Sequence, residues 1–166
     1  MQAPFTRASI RAGHHRDGGR DGAICMRLLN GSCQCQTVTF QIAGRITDAM
    51  YCHCSICRKL HGTAFRARAI VKASDFRFLS GEDILTFYQS SPGVERGFCR
   101  ICGSPIVTRF MRNPAHLGVP LGPLDDDPGI RATRHVHVAS KAPWFTIGDD
   151  LEQFAEGAVI RRDDRR

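Results

Sequence analysis

The stretch YCHCSICRKLHGTAF, residues 51–65, holds cysteines in the order Cys52-x-Cys54-x-x-Cys57. A pair lies on each side of it: Cys33-x-Cys35 in GSCQCQTVTF (31–40) and Cys99-x-x-Cys102 in GFCRICGSPI (97–106). Cys25 stands apart. Clusters this tight serve either as disulfides or as metal ligands. Disulfides belong to an oxidising compartment, and no apolar export segment follows the N-terminal basic residues. Short Cys-x-Cys and Cys-x-x-Cys loops instead bring two thiolates to ~3.5–4 Å, the edge of a tetrahedral zinc site with Zn–S of ~2.3 Å. The spacing therefore favours metal.

The seven clustered cysteines divide as four plus three. Two two-cysteine knuckles close one structural site, and Cys52, Cys54 and Cys57 supply three ligands with a fourth position open, as in catalytic zinc. Spacing alone leaves other partitions open. Cys99 and Cys102 can close a site with two of the trio, and His53 or His61 can fill the fourth position. The plainer reading of His53 is an imidazole behind the ligands or in solvent, and that of His61 a turn or surface residue. Gly103 directly follows Cys102, where a knuckle often needs φ > 0.

The rest of the chain sets the frame. Its 166 residues, 42% hydrophobic, suit one domain able to bury a core without disulfides. No apolar run is long enough to span a membrane, and with no export signal the expected location is cytoplasmic. The formal net charge of +7 is concentrated at the ends. Residues 1–25 and 161–166 carry +2 each, while residues 26–160 hold 15 basic and 12 acidic side chains. Residues 1–25, with RAGHHRDGGRDG, read as a disordered or non-native lead, residues 26–160 as the single domain, and RRDDRR as a charged tail. Met26 is a candidate natural start, and His14-His15 reads as solvated. Modest core charge and few aromatics among the basic residues argue against a nucleic-acid partner.

After Met26 the pattern is of short strands between turn signals: Met26–Leu29, Thr37–Ile42, Ala64–Val71, Ile84–Tyr88, Val94–Cys99, Ile106–Phe110 and His135–Ala139. Thr37–Ile42 and HVHV at 135–138 alternate polar and apolar residues, as half-buried strands do. Ser55–His61 predicts a short helix with Ser55 as N-cap, and residues 149–155 a second. Residues 111–130 read as a long loop. The fold class is mainly β with one or two short helices.

GSCQCQTVTF, YCHCSICRKLHGTAF, GFCRICGSPI and HVHVASKAPWF (135–145) together closely resemble the glutathione-dependent formaldehyde-activating family, which also includes the centromere protein V-like proteins. The resemblance spans about residues 27–155. It implies a Mss4-like zinc-containing β fold related to zinc-ribbon architectures, and two zinc ions. By position Cys33, Cys35, Cys99 and Cys102 match the structural ligands, and Cys52, Cys54 and Cys57 the catalytic ones. The implied activity is that of a carbon–sulfur lyase joining glutathione, as co-substrate, to formaldehyde to give S-hydroxymethylglutathione. The partners are thus a small-molecule thiol and an aldehyde. The alternative is a zinc-stabilised binding module without catalysis, like the centromere protein V-like relatives. The Arg-rich lead and the tail lie outside the family pattern.

The chemistry is coherent. Zinc holds a thiol as thiolate near neutral pH, and the thiolate is the nucleophile. His53 is the titratable group inside the motif able to serve as acid. Arg58, Lys59 and Arg100 abut the cysteines and offset their charge. Arg66 and Arg68 are expected on a solvated face, or to bind carboxylates. Trp144 is expected in the core, and Asp125–Asp127 in a turn. Seven thiolates with two Zn²⁺ contribute −3, which cancels the excess of the middle segment.

Overall fold

The computed structural model describes residues 28–157, and the N-terminal lead, Cys25 and the RRDDRR tail lie outside them. The strands are β1 (Leu28–Ser32), β2 (Thr39–Ala43), β3 (Asp48–Cys52), β4 (Arg66–Lys72), β5 (Phe76–Ser80) and β6 (Leu85–Ser91). They continue with β7 (Val94–Cys99), β8 (Pro105–Phe110), β9 (His116–Pro120), β10 (Arg134–Val136) and β11 (Glu152–Gln153). The one α-helix among the described residues, α1, spans Ser55–His61. The fold is mainly β, as the sequence predicts, and no helix among the described residues is long and apolar enough to cross a membrane.

Two sheets share the molecule. A three-stranded sheet runs β1-β2-β5, and an eight-stranded sheet runs β11-β10-β3-β4-β9-β8-β7-β6. Pairing is antiparallel except where β10 runs parallel to β3 and β11. Of the stretch Thr37–Ile42, Val38, Phe40 and Ile42 are buried in the main core with Leu29, Ile106 and Val119, and Gln41 on the other face is buried too. Phe40 stacks on Phe76 at 5.1 Å and lies flat over Gly31, where an added Cβ would come within 2.2 Å of its ring. Gly31 is therefore demanded by packing.

Both cysteine pairs are the turns of hairpins. Between β1 and β2, Cys33 donates its N–H to Val38 O (2.9 Å) and Gln36 donates to Cys33 O (2.8 Å). Gln36 takes a left-handed φ of 60° there. Between β7 and β8, Gly103 donates to Cys99 O (2.8 Å), with φ of 77°. A Cβ on Gly103 would meet nothing, so the backbone conformation alone demands glycine, as expected.

Several expectations are corrected. The N-cap of α1 is Cys54, whose Sγ accepts the Cys57 N–H at 3.3 Å, and Ser55 is the first helical residue. Residues 149–155 form no helix. They supply β11, because the open edge of β10 offers partners such as His135 O to Phe154 N–H (2.9 Å). The expected loop 111–130 contains β9, which fills the gap between β4 and β8. Strand β10 stops at Val136 rather than residue 139, because His137 turns to φ 59°. Strands β3 and β5 are absent from the sequence reading, although β5 alternates half-buried Phe76 and Phe78 with exposed Arg77 and Leu79. In β3 the residues Ala49, Met50 and Cys52 are all buried, which erases the period-2 signal.

Candidate metal centre

Seven cysteines gather into a group of four and a group of three. The sulfurs of Cys33, Cys35, Cys99 and Cys102 all lie within 4.8 Å of one another, and so do those of Cys52, Cys54 and Cys57. Neither group, among the described residues, takes in a histidine nitrogen or a carboxylate. Both sets suit a thiophilic ion, since thiolates this close repel one another without a cation between them.

The first group is built by the two hairpin turns. Sulfur–sulfur distances are 3.4 Å for Cys33–Cys35 and 3.8 Å for Cys35–Cys99. Val38 donates its N–H to Cys33 Sγ at 3.3 Å. Cys33 and Cys99 are themselves part of the main core. Burial pushes the Cys33 thiol up to about 11. The outer members go the other way. Hydrogen bonding by Ser104, whose Oγ lies 3.3 Å from Cys102 Sγ, brings Cys102 down to about 5. Thr37 lowers Cys35 likewise.

The second group lies at the junction of β3 and α1. Cys52 ends the strand, Cys54 caps the helix and Cys57 closes its first turn. Hydrogen bonds from Cys52 and Cys57 hold Cys54 far below the ordinary thiol range, with smaller help from the Cys57 amide and the His137 charge. The same bonds, with burial, drive Cys52 far up. Cys52 and Cys57 pack with Met50 and Val136 in a small core of their own.

Arg66 stands opposite Cys52 in the β3–β4 register, so the two side chains share a face. It is only 2% exposed, which corrects the expected solvated face. Its guanidinium donates to Thr108 Oγ1 (2.9 Å) and Gly118 O (3.2 Å), and Arg96 donates to the same hydroxyl at 3.2 Å. Burial and Arg96 pull Arg66 down to about 9, while the Cys57 and Cys52 charges pull it up. The guanidinium is thus a built-in countercharge to the thiolates. Arg68, two residues on, is half-buried.

His53 sits between two of the cysteines, fully buried rather than solvated. Its backbone N–H donates to Val136 O at 2.9 Å, which ties the Cys52-x-Cys54 turn to β10. Its Nε2 lies 2.8 Å from His135 Nδ1, and His135 Nε2 lies 2.9 Å from Asp149 Oδ1. Phe65 and Phe145 pack against the His53 ring at 5.3 and 6.0 Å. Burial, then His135 and Lys141, depress His53 to about 4, so the ring is neutral at physiological pH. A carboxylate only accepts, so His135 Nε2–H donates to Asp149. The His53–His135 bond pairs one donor and one acceptor nitrogen, and the ring tautomers set its direction. The sequence reading missed His135 and Asp149 as partners, although HVHV pointed to a half-buried strand.

His61 ends α1 and belongs to neither cysteine group. Trp144 is 71% exposed, against the expected core position, and its neighbours Ala142 and Phe145 turn inward instead. Asp127 does serve a turn, accepting from Gly129 N–H at 2.9 Å. Two cavities flank the centre. One, of about 710 Å³, lies between Cys33, His61, Phe65 and Arg66. The other, of about 510 Å³, includes Met50, Arg68, Val136 and His137.

A mainly β domain with one four-cysteine and one three-cysteine cluster defines a narrow class of protein. Residues 28–140 match the model of the family described as "Glutathione-dependent formaldehyde-activating enzyme", and the chain belongs to that family. It is 30% identical over 131 residues to a Halomonas elongata protein named "Putative glutathione-dependent formaldehyde-activating enzyme", covering 72% of this chain and 81% of that one. It is also similar to the crystal structure of a Rhodobacter sphaeroides protein, a structural-genomics target. That match has a TM-score of 0.50 and 29% identity, over 61% of this chain and 90% of the other.

Proposed function

We propose that the chain is a zinc-dependent carbon–sulfur lyase that joins a thiol, glutathione by family, to formaldehyde and catalyses the reverse cleavage. The observation that carries this reading is the inequality of the two groups, four sulfurs in one and three in the other. Cys33, Cys35, Cys99 and Cys102 would hold a structural zinc. Cys52, Cys54 and Cys57 would hold a second zinc with one position left for the substrate sulfur. A zinc ion at the second site would keep that sulfur as thiolate near neutral pH.

In the reaction the thiol sulfur gives an electron pair to the carbonyl carbon and an S–C bond forms. The C=O π pair moves to oxygen, which takes up a proton, and the thiol has lost one. The product is an S-hydroxymethyl thioether, and the reverse sequence cleaves the C–S bond. The residues of this chain prepare that exchange in three ways. Arg66 balances the charge gathered on the thiolates without leaving the sheet. The Asp149–His135–His53 chain and the His53 N–H bond to Val136 O hold the Cys52-x-Cys54 turn in place. Phe65 and Phe145 wall off one side of that turn, and a drier site strengthens the electrostatic contacts within it. With Nε2 engaged to His135, His53 serves here as an anchor of the turn, and the proton for the product oxygen comes from water.

Exchange spectroscopy on glutathione–formaldehyde mixtures tests the reading. The zinc-loaded protein is expected to speed interconversion with S-hydroxymethylglutathione, and Cys54→Ala to abolish the effect. No acceleration by the wild type contradicts the enzyme reading and leaves a zinc-stabilised binding module.

A further inference from the structure

The smaller cavity lies on the face of the large sheet that carries Cys52. Met50 and Cys52 alternate with Tyr51 along β3, and Arg68 pairs with Met50 as Arg66 pairs with Cys52. The cavity, of about 510 Å³, is lined by Arg68, Arg112, Arg134, His116 and His137, with Met50, Ile70 and Val136 among its apolar residues, and no aspartate or glutamate. Met50 and Val136 also pack on Cys52 and Cys57, so the cavity adjoins the three-cysteine group.

Its arginines differ in what they already hold. Arg134 is committed to Asp48 through two bonds of 2.7 and 3.0 Å. Arg68 has no such partner. Its Nη2 points at the thioether sulfur of Met50 (3.3 Å), a weak acceptor, and its Nε is buried with no hydrogen-bond partner among the described residues. A guanidinium fork with unmet donors matches a carboxylate in shape and charge, and the acids nearby, Asp48 and Glu156, pair with Arg134 and His137 instead.

We propose that this cavity receives a carboxylate of the thiol ligand whose sulfur sits at Cys52, Cys54 and Cys57, and that Arg68 is the residue selecting anionic over neutral thiols. The inference rests on the thiol-binding reading above and adds the cavity that holds the carboxylate and the residue that recognises it. Arg66 and Arg68 divide the work. The first spends Nη1 and Nη2 on Thr108 and Gly118 beside the thiolates, the second has only the Met50 sulfur on its Nη2, and both leave a buried Nε unpartnered.

Calorimetric titration of the zinc-loaded full chain with mercaptosuccinate and with 2-mercaptoethanol tests this. Arg68→Gln should weaken mercaptosuccinate roughly ten- to a hundredfold, the worth of a charge-assisted hydrogen bond, and leave 2-mercaptoethanol unchanged. Arg68→Lys, which keeps the charge and loses the fork, should fall between and guards against a folding artefact. Equal losses for both thiols, or none for either, overturn the proposal, because a mere countercharge to the thiolates does not distinguish them. A second arm separates the cavity from the thiol site. Succinate, which has no sulfur, should shift the Arg68 Nε–H resonance to saturation, and 1,4-butanediol should not. A succinate shift without thiol binding overturns the thiol reading but supports the carboxylate cavity. An Arg68 Nε–H resonance unmoved by succinate overturns the cavity proposal.

Discussion

The two cysteine groups are made of the same residue in similar short spacings, yet they are embedded differently. The first is held by two hairpin turns and sinks Cys33 and Cys99 into the main hydrophobic core. The second hangs on one strand end and one helix cap, with a small core of Met50, Cys52, Cys57 and Val136 flanked by Ile70 and Phe154. A site that joins distant hairpins acts as a crosslink. A site that sits on one local turn, beside a cavity and a buried arginine, leaves room for a ligand. On this account the first group serves the fold and the second the chemistry.

The largest effect that can break this contrast comes from removing one ligand on each side. Cys99→Ala should leave no cooperatively folded domain. Structural zinc supplies on the order of 10 kcal/mol or more of folding free energy, comparable with a whole domain's stability. Cys54→Ala should keep the folded near-ultraviolet circular dichroism and lose thiol binding. The opposite outcome for the pair reverses the assignment.

Gly31→Ala probes the scaffold alone. Its Cβ would collide with Phe40, so unfolding in urea should show a loss of about 1–3 kcal/mol, with thiol affinity preserved. His135→Phe probes the anchor behind the second group. It strips the partner from His53 Nε2 inside the core, which should cost about 1–3 kcal/mol in the same measurement. Unlike Gly31→Ala, it should also weaken retention of one zinc of the two by loosening the Cys52-x-Cys54 turn.

The smallest effect is on pH dependence. Burial, then Arg66 and Arg96, hold His61 at about 4, below its ordinary 6.5. Protonation therefore favours the unfolded chain. The stability this residue contributes is whole above about pH 6.5 and declines as pH falls toward 4. His61→Gln should flatten that part of the stability profile relative to the wild type, and identical profiles contradict the cause given.

What the sequence discloses follows from how local each signal is. Knuckle spacing, the alternation in Thr37–Ile42 and the glycine after Cys102 are set by neighbours in the chain; the cysteines gather, Val38, Phe40 and Ile42 are buried, and Gly103 takes a positive φ. The exposed Trp144, the buried Arg66 and the strand in place of a C-terminal helix were decided by partners far along the chain. Arg66 is buried because Thr108 and Gly118, on β8 and β9, accept its protons. Asp149 reaches His135 across 14 residues that carry no periodic signal. The three-cysteine cluster was therefore legible, while the buried Arg66, the His135–Asp149 anchor and the adjoining cavity were not.

The central claim is that one group is closed and the other open. Titration of the cobalt(II)-substituted chain with glutathione, followed by visible absorption, tests it most directly. Two cobalt ions per chain, with one spectrum changed and saturating at one glutathione, is the result expected. Two bound ions whose spectra both ignore glutathione would contradict it.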